Sequence, residues 1–254
     1  MRVKNNTMAL RLLDGDNAGT AAVSGVLDEF PINHHAVCVD KTVRIRAYRP
    51  GDRATVRQLC CDTGFLGQPI DSVFQDRELF ADLFTNAYLA HEPEYALIAE
   101  VDGRVVGYLL GAASRHFELA LMRSGFKTAT KMVFKLLTGR YAAHPRSALF
   151  VRWLLTSGLR EQPKHPANAA HLHWDIDKRF RGRGISPRLW HVYEQKLREV
   201  GIKHCYGAFF SHARRRPEAV YARYGFKVYD RKQTTLFKPE IAEVVEVVCV
   251  HKGI

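Results

Sequence analysis

The sequence predicts one α/β domain, a mixed sheet covered by helices. Three observations predict it. Strand-length apolar segments alternate with helix-length amphipathic ones from residue 42 onward. Two apolar runs, YALIAEV and RVVGYLLGA, are joined by Asp102-Gly103, a strong short-range hairpin signal. A strand-like HLHWDI at 171–176 leads into a glycine-bearing basic loop and then a helix pattern that stops at Gly201.

Residues 1–41 show no clear period and contain DGDNAGT and PINHH. They are expected to be an extension, partly disordered or draped over the domain, which occupies 42–254. In TVRIRAY, Val43, Ile45 and Ala47 alternate with Arg44, Arg46 and Tyr48, as in a strand with one buried face. RPGD turns the chain, and Asp52 is placed to cap a helix carrying Val56 and Leu59. Over 72–90, Phe80, Leu83, Phe84, Ala87 and Tyr88 fall on one helical face, and Pro93 ends the pattern. The hairpin at Asp102-Gly103 follows. Residues 113–168 read as a helical insert. Strands are expected at 171–176 and 203–210, a helix from Pro187 to Val200, a short helix over 217–224, and two final strands separated by Lys238-Pro239.

With 46% hydrophobic and 25% charged residues, the composition is that of a globular chain, long enough to bury a core without disulfides or metals. Its net charge of +12 favours an anionic partner: a phosphorylated cofactor, nucleic acid or an acidic membrane surface. Five cysteines without a Cys-x-x-Cys pair read as free thiols in a reducing, cytoplasmic setting. No apolar run reaches the length of a membrane span, and no secretory leader is expected. In the insert, Arg123, Lys127, Lys131 and Lys135 form one helical stripe. It reads as a solvated face or as a docking surface for an anionic partner or membrane headgroups.

The loop RFRGRGISPRLW, 179–190, carries the chemistry. Gly182 and Gly184 admit close backbone approach, and the N–H groups of a helix start offer themselves to phosphate oxygens. Ser186 suits the helix cap and Pro187 the first helical position. Arg179, Arg181 and Arg183 add charge. A Walker loop is excluded by spelling, and a dinucleotide fingerprint fails because position 187 is proline.

Arg181, Gly184 and Ser186 instead resemble the Gln/Arg-x-x-Gly-x-Gly/Ala pattern of the GNAT acyltransferase superfamily, with serine in place of the last small residue. YARYGF, 221–226, is similar to that family's Tyr-x-x-x-Gly-Phe motif, and IRAYRPGD to its first strand and turn. HPANAAHLHWDI also resembles the GNAT-like domains related to the C-terminal part of O-GlcNAcases, some of which do not catalyse. The main resemblance covers about 42–250, interrupted by the insert. It implies a GNAT fold: a mixed, mostly antiparallel sheet of six to seven strands with helices on both faces.

The resemblance also implies a site. Acetyl-CoA is expected between two splayed parallel strands, 171–176 and 203–209, with its pantetheine arm on the backbone of Trp174 and Ile176. Its pyrophosphate is expected on Arg181, Gly182, Arg183, Gly184, Ile185 and Ser186, with Arg179 nearby. An amine attacks the thioester directly, so no protein nucleophile is required. Tyr221 occupies the family's acid position or is a core tyrosine with a satisfied hydroxyl; His173 and Asp175, which share a strand face with His171, are the candidate bases, the histidines being read alternatively as structural or pocket-lining. Arg214 stands where the family commonly has asparagine and is read either as a phosphate contact or as surface charge. Glu92 and Glu94 are read as attracting an amine or as solvated loop acids. The His171-x-His173 pair lacks a third ligand in the sequence, and no metal is expected. The function expected is an acyl-CoA-dependent N-acetyltransferase acting on a small-molecule or protein amine. The alternatives are a non-catalytic GNAT-fold binding module for CoA or a partner, and a nucleic-acid-associated basic protein.

Overall fold

A computed structural model of the chain describes residues 43–254; the extension at 1–41 lies outside the described residues. Among the described residues seven strands form one sheet: β1 (Arg44–Ala47), β2 (Ala96–Val101), β3 (Arg104–Ala112), β4 (Ala170–Ile176), β5 (His204–His212), β6 (Lys227–Thr234) and β7 (Val245–Gly253). Their spatial order is β1-β2-β3-β4-β5-β7-β6. Every neighbouring pair is antiparallel except β4 with β5.

Helices α1 (Arg53–Thr63), α2 (Arg77–His91), α3 (Phe117–Leu137) and α4 (Pro145–Thr156) accompany one core, and α5 (Ile185–Glu199) and α6 (Glu218–Ala222) the other. The first core includes Phe74, Phe80, Tyr88, Tyr108 and Phe150; the second includes Leu109, Leu172, Leu189, Trp190, Tyr193 and Val248. β2 and β3 are covered on both faces, which explains their nearly unbroken apolar runs. The hairpin turns at Asp102 and Gly103, with φ of 50° and 74°, as a primed two-residue turn requires.

Local chemistry departs from the sequence reading in three places. On β1, Ala47 is exposed and Arg46 is turned inward, because Arg46 pairs with both Asp52 and Glu100. Asp52 precedes α1 but does not cap it. Its carboxylate is occupied by the Arg46 guanidinium, at 2.7 and 2.8 Å, and by the Arg49 N–H at 2.8 Å. Helix α2 begins at Arg77 rather than 72, capped by Asp76, whose carboxylate accepts from Leu79 N and also holds Lys135 and Tyr141 of the insert. The insert itself is two helices. Arg146 on α4 grips Glu240 and the Leu236 carbonyl, fastening it to the β6–β7 connection.

Candidate active site

Strands β4 and β5 pair only at Ala170–Cys205, His171–Tyr206 and Leu172–Gly207. Beyond Leu172 both continue, β4 to Ile176 and β5 to His212, without pairing to each other. The two strands therefore diverge into a V between 173–176 and 208–212. Backbone parity decides which β4 groups face it. Asp177 N–H bonds Val106 on the β3 side at 2.9 Å, so the backbone groups of Trp174 and Ile176 point the other way, toward the gap. Consistently, Ile176 C=O accepts from Arg181 Nε at 3.1 Å.

The V opens toward the loop that leads into α5. A short turn at Lys178–Phe180 is capped by Asp177, then Gly182 and Gly184 adopt φ of 79° and 70°. Gly184, not Ser186, is the residue at the helix cap; its left-handed conformation starts α5 at Ile185, two residues earlier than the sequence suggests. Pro187 is thus the third helical residue, still within the first turn where an N–H has no intrahelical acceptor. Ser186 Oγ is hydrogen-bonded instead to Tyr224 OH at 2.8 Å, tying the loop to the turn after α6.

The arginines divide. Arg179 is exposed and pairs with Asp177, whose carboxyl it holds below the ordinary carboxylate range. Arg183 lies over the Phe180 ring at 5.2 Å. Arg214 is exposed and pairs with Glu243 at 2.9 Å. Arg181 reaches across to Gly67 C=O at 3.3 Å, in the loop between α1 and α2. Arg215, which the sequence did not single out, turns inward and donates to Phe210 C=O at 2.9 Å. A side chain at Gly67 would meet Arg181 nitrogens at 3.1 and 3.4 Å and Arg215 Nε at 3.5 Å, so two guanidinium groups converge beside this glycine. Burial, and then the charge of Arg181, holds the Arg215 pKa below its ordinary value, while Asp175 and Tyr221 act in the opposite sense.

On the face of β4 toward α1 and α2 lies a polar cluster. Tyr108 OH donates to Asp175 Oδ2 at 2.7 Å, and His173 Nε2 is 3.2 Å from the same oxygen and 3.1 Å from the Tyr108 oxygen. Since the tyrosine proton is committed to the carboxylate, Nε2 is the donor, and in the neutral imidazole Nδ1 carries the lone pair. Nδ1 has no hydrogen bond among the described residues. The His173 side chain is 25% exposed. Phe84 and Tyr88 stack against the ring.

His171, two residues earlier, is different: it shares a 2.5 Å hydrogen bond with Tyr88 OH, packs on Tyr206, and burial lowers its pKa to about 3. Cys60 supplies a donor atom that sequence spacing could not reveal, its sulfur lying within 4.8 Å of the His173 and Asp175 ligand atoms. Burial pushes that thiol well above its usual range. Glu92 is buried and accepts from Ala113 N–H and Ser114 N–H, which makes it a fastener of the β3 end; Glu94 is exposed.

Tyr221 enters the V from α6. Its ring is stacked between Trp174 of β4 and Phe209 of β5, each at 4.8 Å, so one aromatic stack spans the diverging strands. Its hydroxyl has no hydrogen-bond partner among the described residues. Burial and the Asp175 charge raise its pKa well above 10, so the proton is retained.

A profile of the acetyltransferase (GNAT) family matches residues 65–226, well over half of the chain. The chain belongs to that family. No curated relative matches it by sequence. Among solved structures, the protein called SsHAT is 23% identical, with 84% of this chain and 98% of that one covered and a TM-score of 0.52. A polyamine N-acetyltransferase of Drosophila melanogaster, described as forming N-acetylagmatine, is 13% identical over 84% and 100%, with a TM-score of 0.51. An N-acetyltransferase from Staphylococcus aureus Mu50 is 12% identical over 84% and 98%, with a TM-score of 0.50. At these identities the likeness is one of fold: this GNAT chain has the family's seven-stranded, mostly antiparallel sheet. The GNAT family takes its acyl group from acetyl-CoA, and the diverging strands, the free N–H groups at 184–186 and the nearby guanidinium groups fit such a donor. Among the described residues, no helix is long and apolar enough to cross a membrane.

Proposed function

We propose that the protein is an acetyl-CoA-dependent N-acetyltransferase acting on an amine by direct attack on the thioester. The observation that carries this reading is the V itself: it has a protonated Tyr221 hydroxyl on one side and, on the other, His173, held at Nε2 by Asp175. The donor supplies a thioester, whose carbonyl carbon is the electrophile.

Each residue then has a role. The backbone of Trp174 and Ile176 lines the pantetheine path. Gly182, Arg183, Gly184, Ile185 and Ser186 present N–H groups to the pyrophosphate, and Arg179 and Arg183 add positive potential at the loop. Arg181 holds the loop to Gly67. His173 Nδ1 takes a proton from the attacking amine, Asp175 and Tyr108 fixing its tautomer. Tyr221 returns a proton to the departing sulfur as the carbon–sulfur bond breaks. Its own acidity is weaker than that of a simple thiol, about 8.5, and the Arg215 charge favours the tyrosinate that the transfer leaves. Arg214, paired with Glu243 at the surface, stands outside this machinery.

The experiment is thermal unfolding with acetyl-CoA and longer acyl-CoAs, followed by thiol release against an amine panel that includes polyamines and agmatine. Stabilisation by an acyl-CoA together with amine-dependent thiol release supports the reading. Absence of stabilisation by any acyl-CoA refutes it, and stabilisation without thiol release from any amine turns it toward a non-catalytic CoA-binding module.

A further inference from the structure

Helix α3 presents two apolar faces. Phe117, Thr128 and Met132 are buried. On the opposite side Met122, Phe126, Phe134 and Leu137 are 71%, 73%, 64% and 80% exposed, and Leu119 is also exposed. At about 100° per residue these five side chains share an arc of about 120°, centred away from the buried face. Further exposed leucines, Leu149, Leu155 and Leu159, lie on α4 and just after it. The other exposed large hydrophobic residues among the described ones are valines and one tyrosine on other elements. A contiguous exposed stripe of Leu, Met and Phe is not the scatter found on ordinary surfaces.

Charge selects what covers it. Along one shoulder of the stripe run Arg123, Lys127 and Lys131. Arg123, Lys127, Arg140 and Arg152 are exposed and have no acidic partner among the described residues. The segment 113–168 holds ten Lys or Arg against Glu118 and Glu161, a net +8, and Glu161 is spent on Thr234, Thr235 and Trp153. A second copy docked by this face would set like charge against like. Residues 1–42, with four Lys or Arg against five Asp or Glu, carry too little negative charge to neutralise it. Nucleic acid would satisfy the lysines and arginines and leave the apolar arc against phosphate and water. A lipid surface with anionic headgroups accepts both at once: the apolar arc enters the acyl boundary while the basic shoulder lies among the headgroups.

We infer that the outer face of the helical insert is a peripheral membrane-docking surface, selective for anionic lipid. It is separate from the V and does not depend on the catalytic reading.

The test is flotation of the full chain with vesicles of phosphatidylcholine alone and of equal parts phosphatidylcholine and phosphatidylserine. At low salt the mixed vesicles are expected to carry at least about tenfold more protein, and salt near 0.5 M to weaken this strongly as charges are screened. Phe126→Asp with Leu137→Asp removes flotation, and Arg123→Glu with Lys127→Glu reduces it. Both pairs change exposed positions, and unaltered melting temperatures exclude misfolding as the cause. Equal flotation on neutral vesicles, no flotation on either, or flotation that survives both pairs overturns the inference. A self-association in sedimentation abolished by Phe126→Asp, without vesicle binding, overturns it in favour of a second copy. Retention on generic duplex DNA with no vesicle binding overturns it in favour of nucleic acid.

Discussion

Tyr108 OH donates its single proton to Asp175 Oδ2 at 2.7 Å, and that bond dictates what His173 can do. With the hydroxyl proton spent, His173 must donate from Nε2, leaving Nδ1 as the acceptor of the neutral ring. His173→Gln is expected to lower kcat by about 100-fold, the scale of a lost general base. Tyr108→Phe removes only the orienting bond and is expected to cost about tenfold, with acetyl-CoA affinity unchanged. Steady-state rates and thermal shifts with acetyl-CoA on the two variants check both. Equal rates for His173→Gln and the parent would remove the base assignment.

The second prediction concerns Tyr221. Burial and Asp175 hold its proton well above the ordinary tyrosine range. Deprotonation of this group therefore does not limit the rate below pH 10, and kcat is expected to show no decline from it between pH 8 and pH 10. Tyr221→Phe keeps the ring between Trp174 and Phe209 and deletes only the hydroxyl. We expect kcat to fall by about 100-fold with little change in melting temperature. An unchanged kcat would leave Tyr221 as a packing residue alone.

What the sequence disclosed of this site follows a physical line. The Asp102-Gly103 turn and the glycines of the α5 loop are legible because each needs a backbone conformation that few residues adopt. Ser186 misled because its cap chemistry was correct and its position was not: Gly184 takes the left-handed conformation first. Tyr108 was hidden inside an apolar run, 67 residues from the Asp175 it contacts. The only signal available was a tyrosine in a strand buried on both faces, whose hydroxyl must find a partner. Arg215 could not be told from Arg214 within RRR. The choice is made by the tight turn in which His212 and Arg215 exchange backbone hydrogen bonds, turning Arg215 inward.

Gly184 separates cofactor binding from stability. An added Cβ there meets nothing within 4 Å, so no clash opposes Gly184→Ala. The cost is conformational: φ of 70° is the left-handed region, worth about 1–2 kcal/mol against alanine. Relaxation of that strain tilts the N–H groups of 184–186. The expected result is a small loss in melting temperature and a rise of about tenfold or more in KM for acetyl-CoA, with kcat nearly kept. A KM that does not move would argue against the loop as the pyrophosphate site.

His171 makes stability depend on pH above the carboxylate range. Packed against Tyr88 and Tyr206, it has its folded pKa lowered to about 3, against 6.5 for a free histidine. The unfolded chain therefore binds a proton below pH 6.5 that the folded chain refuses until about pH 3, and stability falls as pH falls through that window. The slope is about 1.4 kcal/mol per pH unit, or about 2 kcal/mol between pH 6.5 and pH 5. His251, lowered by burial and by His204, acts in the same direction. The paired carboxylates, Asp52 and Glu194 among them, have lowered pKa values, and the stability they give is lost only at more acid pH. Urea unfolding at pH 7, 6 and 5 measures the slope. His171→Gln is expected to be less stable at pH 7, because the bond to Tyr88 is altered, yet to lose distinctly less between pH 7 and pH 5 than the parent. Parallel slopes for the two proteins would mean that another group takes up the proton.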